Sequence, residues 1–268
     1  MFHANETTVP IPGGTADVIS FGTGERPLVM LPGLRLSGIR GSAGAVSWYY
    51  RRFARAFTVY LIDRRDPVLS GCTIHDLADD TAAAMHQLDL RDVCLYGASQ
   101  GGMIAQDLTI SHPELVSRLA LAVTASRPNP VIEEVIARWI GLARTKGLAA
   151  VSADYIENGY SAAYLKRYRA FLPLALRLQR YMPVERFCTL AAAILTCDTY
   201  DRLGEIACPA IVFGGAEDKV VTGEASREIA ARLHCPCHLY PALGHEAYNE
   251  APDIDARILA FFLEDAAR

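Results

Sequence analysis

Short apolar runs alternate with longer helical patterns along most of this chain, and that alternation limits the fold class more than any single residue does. Pro27–Leu31 (PLVML), Phe57–Ile62 (FTVYLI), Val93–Tyr96 (VCLY), Leu119–Thr124 (LALAVT), Ala210–Phe213 (AIVF) and His238–Tyr240 (HLY) have strand length. The first of them is apolar throughout, as a strand covered on both faces must be. Helical patterns lie between them: Trp48–Phe57 after the N-cap candidate Ser47, Ile74–Leu88 after Thr73, Gly102–Ser111 before the stop signal Pro113, Ser226–Leu233 and Ile254–Ala266. Thr7–Ile11 and Ala16–Phe21, joined by Pro12-Gly13-Gly14, predict a leading β-hairpin. The whole predicts an α/β fold, a mostly parallel twisted sheet flanked by helices with right-handed crossovers.

Residues 127–200 break this rhythm. They hold helical patterns and no strand-like run, between the fourth and fifth runs of the parallel series, where a short crossover suffices. The stretch reads as an all-helical cap inserted into a core built from residues 1–126 and 201–268. It carries ten basic and six acidic residues, a charge of +4, which leaves −8 on the remainder of a chain whose net charge is −4. It also holds six of the twelve tyrosines. Trp139, Tyr155, Tyr160, Tyr164 and Tyr168 are candidates to line an aromatic cavity, although packing between cap helices is the expectation for most of them. Tyr164, Tyr168 and Phe171 share one helical face by spacing.

Composition removes several classes. At 51% apolar and 21% charged residues, the chain is neither disordered nor fibrous. A negative net charge and a pI near 6.0 give no basic footprint for nucleic acid. No uninterrupted apolar stretch reaches membrane-spanning length, and the first residues have neither the basic nor the apolar segment of a secretory signal. Seven scattered cysteines, an odd number, read as reduced thiols, so the expected setting is cytoplasmic.

The chemistry is concentrated at Gly97-Ala98-Ser99-Gln100-Gly101-Gly102, a G-x-S-x-G sequence directly between a strand-like run and a helical one. Such a turn holds serine at its apex in a strained backbone conformation with the hydroxyl exposed. Bulk at Gly97 or Gly101 would strike neighbouring backbone. The helix that begins here points its first N–H groups at the reacting centre, which suits a developing oxyanion. Two other glycine motifs fail: Gly102 is followed by Met103 rather than the Lys-Ser/Thr of a P-loop, and Pro32-Gly33-Leu34-Arg35 lacks the dinucleotide fingerprint.

A general base for Ser99 must stand beyond a strand's C-terminal end on the same sheet edge. His245, in the loop after the last strand-like run, meets that condition. His112 lies beside Pro113, and His75 and His86 fall in a helical pattern. His234 and His238 flank Cys235-Pro236-Cys237, where sterics and a missing fourth ligand argue against zinc. The base needs an orienting carboxylate. Asp218, in the loop after Ala210–Phe213, is the candidate, with Glu217 its competitor and Asp63 and Asp198 weaker ones. The order Ser99, Asp218, His245 is that of one architecture among the convergent triads.

With these residues the chain resembles the α/β-hydrolase superfamily, in its compact form with a helical cap. The resemblance rests on Gly97–Gly102, on Phe213–Val221 (FGGAEDKVV), on Gly244-His245-Glu246 and on Leu31-Pro32-Gly33-Leu34. It implies an oxyanion hole from the backbone N–H groups of Gln100 and Leu34, with Arg35 as the alternative to Leu34. Pro32-Gly33 stands where many members have His-Gly. Arg64-Arg65-Asp66-Pro67 replaces a glycine-rich segment, an expected change at the pocket mouth. The implied reaction is acyl transfer: Ser99 attacks a carbonyl, His245 moves the proton, Asp218 steadies the imidazole, and water releases the acyl group. It needs no cofactor or metal, and its partner is a small-molecule ester or lactone. C–C bond hydrolysis, proline-type aminopeptidase action and perhydrolysis use the same triad. A hydrolase-fold receptor with little turnover is the reading outside enzymology. A positive cap over a negative body favours an anionic substrate, held by a cap arginine.

Overall fold

In a computed structural model, residues 3–168 and 179–264 are described. The strands are β1 (Asn5–Ile11), β2 (Gly14–Gly22), β3 (Arg26–Leu31), β4 (Phe57–Ile62), β5 (Val93–Ala98), β6 (Val116–Ala122), β7 (Ala210–Gly215) and β8 (Cys237–Tyr240). They form one eight-stranded sheet in the order β1-β2-β4-β3-β5-β6-β7-β8. Strands β3 to β8 run parallel, while β2 pairs antiparallel with β4 and β1 with β2. The leading hairpin is tighter than the sequence suggests: Ile11 pairs with Gly14, so Pro12 and Gly13 alone make the turn, with Gly13 at φ +78°.

The alternation of side chains along each strand divides the core in two. Val29, Leu31, Val93 and Leu95 point into one apolar layer with Leu77 and Met85 of α2 (Ile74–Gln87) and Ile104 and Leu108 of α3 (Gln100–Ser111). Leu28, Met30, Cys94 and Tyr96 point into the other. That layer is closed by Phe53 and by Ile258 and Phe262 of the last helix, Ile254–Leu263. Burying a side chain such as Phe262 stabilises the fold by about 1.5–3 kcal/mol. Helix α2 starts on a full capping box: Thr73 Oγ1 accepts from the Asp76 N–H, and the Asp76 carboxylate accepts from the Thr73 N–H.

One predicted helix is displaced. Instead of Trp48–Phe57, α1 spans Ala43–Tyr49, and residues 50–56 form turns. Ser47 does not cap; its hydroxyl donates to the Gly44 carbonyl within the helix. Phe53 and Phe57 are four apart and look helical, but Phe57 pairs with Arg26 as the first residue of β4. Sheet register decides the conformation there.

Residues 127–200 contain no strand among the described residues. They form α4 (Pro130–Lys146), α5 (Leu148–Gly159), α6 (Ala162–Tyr168) and α7 (Val184–Ala193), followed by short 3-10 turns. Asp154 of α5 ties to α4 by accepting from Arg138 Nε at 3.2 Å and Trp139 Nε1 at 2.8 Å. Tyr160, Tyr164 and Tyr168 stack in series, with ring centroids 4.2 and 4.5 Å apart. Phe171, expected on the same face, lies outside the described residues, as does Ala266 at the predicted end of the last helix. Helix α8 (Gly223–Leu233) begins before the expected Ser226, with Thr222 accepting from the Ala225 N–H. The short α9 (Ala247–Glu250) and α10 (Ile254–Leu263) complete the chain. No helix among the described residues is long and apolar enough to cross a membrane.

Candidate active site

A parallel sheet brings the loops after its strands to one edge. Ser99 follows β5, Asp218 follows β7, His245 follows β8, and Pro32–Leu34 follow β3. Ser99 sits at φ 52°, ψ −123°, between the last residue of β5 and the first of α3. A non-glycine residue there stores strain of about 1–3 kcal/mol, so its surroundings must impose the conformation. They do so through two backbone bonds: the Ser99 N–H donates to the Ala122 carbonyl, and the Ser99 carbonyl accepts from Thr124 Oγ1 at 2.7 Å. A Cβ on Gly97 would lie 2.5 Å from the Gly101 carbonyl oxygen, and one on Gly101 would lie 2.0 Å from that of Leu31. Both contacts are with backbone, which cannot yield, so glycine is required at both positions.

The three candidate side chains form a relay. His245 Nε2 lies 2.9 Å from Ser99 Oγ, and His245 Nδ1 lies 2.8 Å from Asp218 Oδ2. The other carboxylate oxygen, Oδ1, accepts from the N–H groups of Val220 at 2.7 Å and Val221 at 3.0 Å. With Asp218 fixed on the Nδ1 side, that nitrogen carries the proton and Nε2 is left to accept from the serine hydroxyl. All three residues are buried, whereas Glu217, the competitor for the acid, is exposed. Asp63 instead accepts from the Ile39 and Arg64 N–H groups, and Asp198 is exposed. Of the other histidines, His75 pairs with Asp107 and His112 with Asp79. His86, His112 and Glu114 place one ligand atom each within 4.8 Å of one another in a partly exposed cluster.

The two amides expected to bind an oxyanion lie beside the serine. Gln100 opens α3, so its N–H has no partner within that helix. Gly33 approaches so closely that an added Cβ would stand 3.2 Å from Ser99 Cβ, and Leu34 and Arg35 follow it along the cavity wall. The segment Arg64–Pro67 does not line the cavity, contrary to the expectation of a changed mouth. Arg64 is buried behind the site. It donates to the Pro32 carbonyl through Nη2 and to Gln100 Oε1 through Nε at 3.4 Å. Burial pulls its guanidinium down to about 10. Gln100 Nε2 in turn donates to the Leu190 carbonyl of α7 at 2.6 Å. Arg64 thus joins the loop after β3 to the start of α3.

A second buried carboxylate adjoins His245. Glu246 accepts from the Tyr155 and Tyr248 hydroxyls and from Asn249 Nδ2. Burial pushes its carboxyl up to about 7, against the pull of the Asn249 and Tyr248 hydrogen bonds. The Tyr155 ring also stands edge-on to the His245 imidazole, centroids 6.3 Å apart. Tyr155, a candidate for the cavity lining, is on its wall, while Thr124, Arg64 and Glu246 were not found by sequence reasoning. Only Glu246 carried a signal, its place next to His245.

Above Ser99 is a cavity of about 390 Å³. Its floor includes Leu61, Tyr96 and Met103, and its roof includes Ile132, Ile136 and Trp139 of α4 and Tyr155 of α5. It is an apolar chamber with Ser99 and His245 on its wall, of the size that small-molecule sites have.

A sequence model of the alpha/beta hydrolase family matches residues 28–254. A protein of Caulobacter sp. (strain K31), provisionally named carbamate hydrolase RutD, is 27% identical over 241 residues, covering 86% of this chain and 90% of its own length. The (E)-2-((N-methylformamido)methylene)succinate hydrolase of Acinetobacter baylyi is 24% identical over 242 residues, 81% of each chain. The crystal structure of the enol-lactonase from Burkholderia xenovorans LB400 superposes with a TM-score of 0.81 over 96% of this chain and 100% of that one. At 23% identity, that likeness shows a shared fold. The family match over most of the chain, together with the sheet order, establishes that this protein belongs to the alpha/beta hydrolase family.

Proposed function

We propose that the chain is a serine hydrolase that cleaves a small ester or lactone through an acyl-enzyme on Ser99. The observation that carries this reading is the relay Ser99–His245–Asp218, with spacings of 2.9 and 2.8 Å, at the base of an apolar cavity. His245 takes the Ser99 proton as Oγ attacks the carbonyl. Asp218 keeps the imidazole in the required tautomer and stabilises its charged form. The N–H groups of Gln100 and Leu34 receive the oxyanion, and removing one such donor typically costs about 10²–10³ in rate. His245 then returns the proton to the leaving alcohol. Water, deprotonated by the same imidazole, releases the acid and restores the serine. Each step draws only on these side chains, two amides and water.

Residues 127–200 serve as the cap in this reading. Helices α4 and α5 contribute the side of the cavity opposite Ser99, so sequence changes there alter which acyl or alcohol group fits. The relatives named as hydrolases of a carbamate and of a succinate derivative support hydrolysis of a small acyl compound. Seven free cysteines support a reducing, cytoplasmic setting.

The test is intact-mass analysis after exposure to a fluorophosphonate probe. Wild type gains one adduct and Ser99→Ala gains none. A panel of esters, lactones and peptides then ranks the leaving groups. Folded wild type that takes up no adduct, and turns over no member of the panel, would sink the proposal and favour a ligand-binding protein.

A further inference from the structure

Among the described residues, the cavity over Ser99 is lined by one cationic side chain and no carboxylate. Arg35 is the one Lys or Arg among the described residues that line it, and no Asp or Glu lines it. Arg35 is half-buried and also borders an adjoining cavity of about 350 Å³. Its Nε donates to the Ser37 carbonyl at 3.2 Å, and among the described residues no carboxylate pairs with its guanidinium. Glu246, on the wall of the adjoining cavity, already takes its hydrogen bonds from Tyr155, Tyr248 and Asn249.

The arginines of 127–200 behave differently. Arg127 pairs with Glu228, Arg138 with Asp154, Arg144 with Glu185 and Arg186 with Asp66. None of these four lines the cavity. Arg169 and Arg177 lie outside the described residues, and the available charge that the described ones place in the cavity is Arg35. That charge comes from the loop after β3, two residues beyond the glycine that touches Ser99.

A neutral partner stands beside it. Tyr50 lines the same cavity, and no hydrogen bond engages its hydroxyl among the described residues. Burial and the negative charges of Asp255 and Glu246 keep that phenol protonated, and the positive charge of Arg35 acts on it in the opposite direction. A guanidinium fork and a phenol are both donors, and together they suit one carboxylate. The apolar lining strengthens such a pair by lowering the local dielectric. It also penalises a neutral substrate, which strips water from the guanidinium and returns no acceptor.

We infer that Arg35, with Tyr50, selects a substrate that carries a free carboxylate on the same small molecule as its scissile ester or lactone bond. This deepens the hydrolase reading and rests on it. Arg35 lies two positions beyond Gly33, at most about 7 Å along the backbone. The carboxylate therefore lies within a short carbon chain of the carbonyl that Ser99 attacks.

The experiment compares the monomethyl ester of glutaric acid with methyl valerate, which has the same chain length and no charge. Wild type prefers the half-ester in kcat/KM by about tenfold to hundredfold, and added salt narrows the preference. Arg35→Gln removes most of that ratio, and Arg35→Lys restores part of it. A second arm needs no turnover: free glutarate raises the Tm of Ser99→Ala, and raises that of the Ser99→Ala/Arg35→Gln double variant far less. Equal or higher kcat/KM for methyl valerate in wild type overturns the inference, as does a ratio that Arg35→Gln leaves intact. Absence of labelling and of all hydrolysis counts against the hydrolase reading instead, because the glutarate arm still reports on Arg35. If Arg35→Gln fails to fold, the wild-type ratio, its salt dependence and Arg35→Lys decide.

Discussion

Two buried carboxylates flank His245, and they are built for opposite purposes. Asp218 accepts from two backbone N–H groups of the loop that carries it and from the imidazole of His245, on the loop after β8. Glu246 lies one residue beyond the histidine and accepts from two phenols and an amide, side chains brought from α5 and α9. No cation pairs with Glu246 among the described residues, and burial holds its carboxyl up near 7. Backbone donors on one loop fix the orientation of Asp218 toward His245 for the proposed chemistry. Donated side chains from separate helices leave a carboxyl that titrates, and its effect falls on stability.

The strongest way to break this contrast is Asp218→Asn. The amide still accepts from the Val220 and Val221 N–H groups, so the fold is expected to survive. Its NH2 group, however, faces His245 Nδ1 and forces the proton to the wrong nitrogen. On the proposed mechanism kcat falls by about 10⁴. Glu246→Gln under the same assay loses less than about tenfold, because Glu246 touches no reacting atom. Steady-state rates on whichever ester the panel ranks first make the comparison. Equal losses in the two variants would erase the distinction.

The second prediction concerns pH and Glu246 alone. Its carboxyl sits above the ordinary value of 4.5, at about 7, so the folded state holds the proton more tightly than the unfolded one. Stability from this group is complete below pH 4.5. It declines as pH rises through about 7, because the unfolded state ionises first. The full difference is up to about 3 kcal/mol, at 1.36 kcal/mol per pH unit of displacement. Glu246→Gln removes that dependence. It is expected to be more stable than wild type at pH 8 and close to it at pH 4.5. Urea unfolding at the two pH values tests this, and a variant equally destabilised at both contradicts it.

Much of this molecule is legible in the order of its residues, for reasons that differ by region. Ser99 is legible because a strand–turn–helix with glycine at 97 and 101 has little other use. His245 is legible because it lies past a strand end, on the edge where a base must be. Asp218 and Glu217 are neighbours of the same chemistry, and only burial separates them: Asp218 is 7% exposed and Glu217 faces solvent. The α1 region misleads because Phe53 and Phe57 have helical spacing, while the register with β3 pulls Phe57 into a strand. Arg64, Thr124 and Glu246 act across gaps of 25 to 91 residues or between elements, and no local pattern records such a contact. The charge that faces the cavity follows the same rule. Counting arginines in 127–200 locates net charge, whereas ion pairing decides which of it remains available.

The smallest expected effect isolates one donor to Glu246. Tyr155→Phe keeps the ring that stands edge-on to His245 and deletes the hydroxyl that reaches Glu246 Oε1. An ionised carboxylate needs that donor more than a neutral carboxyl does, since the neutral form has a proton of its own to give. The loss in stability at pH 8 is therefore expected to be about 1 kcal/mol, with less at pH 5. Removing the donor also raises the pH at which Glu246 ionises in the folded state, so the fall in stability, which starts from the ordinary value of 4.5 in both proteins, continues to higher pH and ends deeper in Tyr155→Phe. An equal loss at both pH values would mean that the hydroxyl serves packing and not the charge. The contrast between the two carboxylates would then rest on Asp218 alone, since Glu246 would behave as a neutral group across the range.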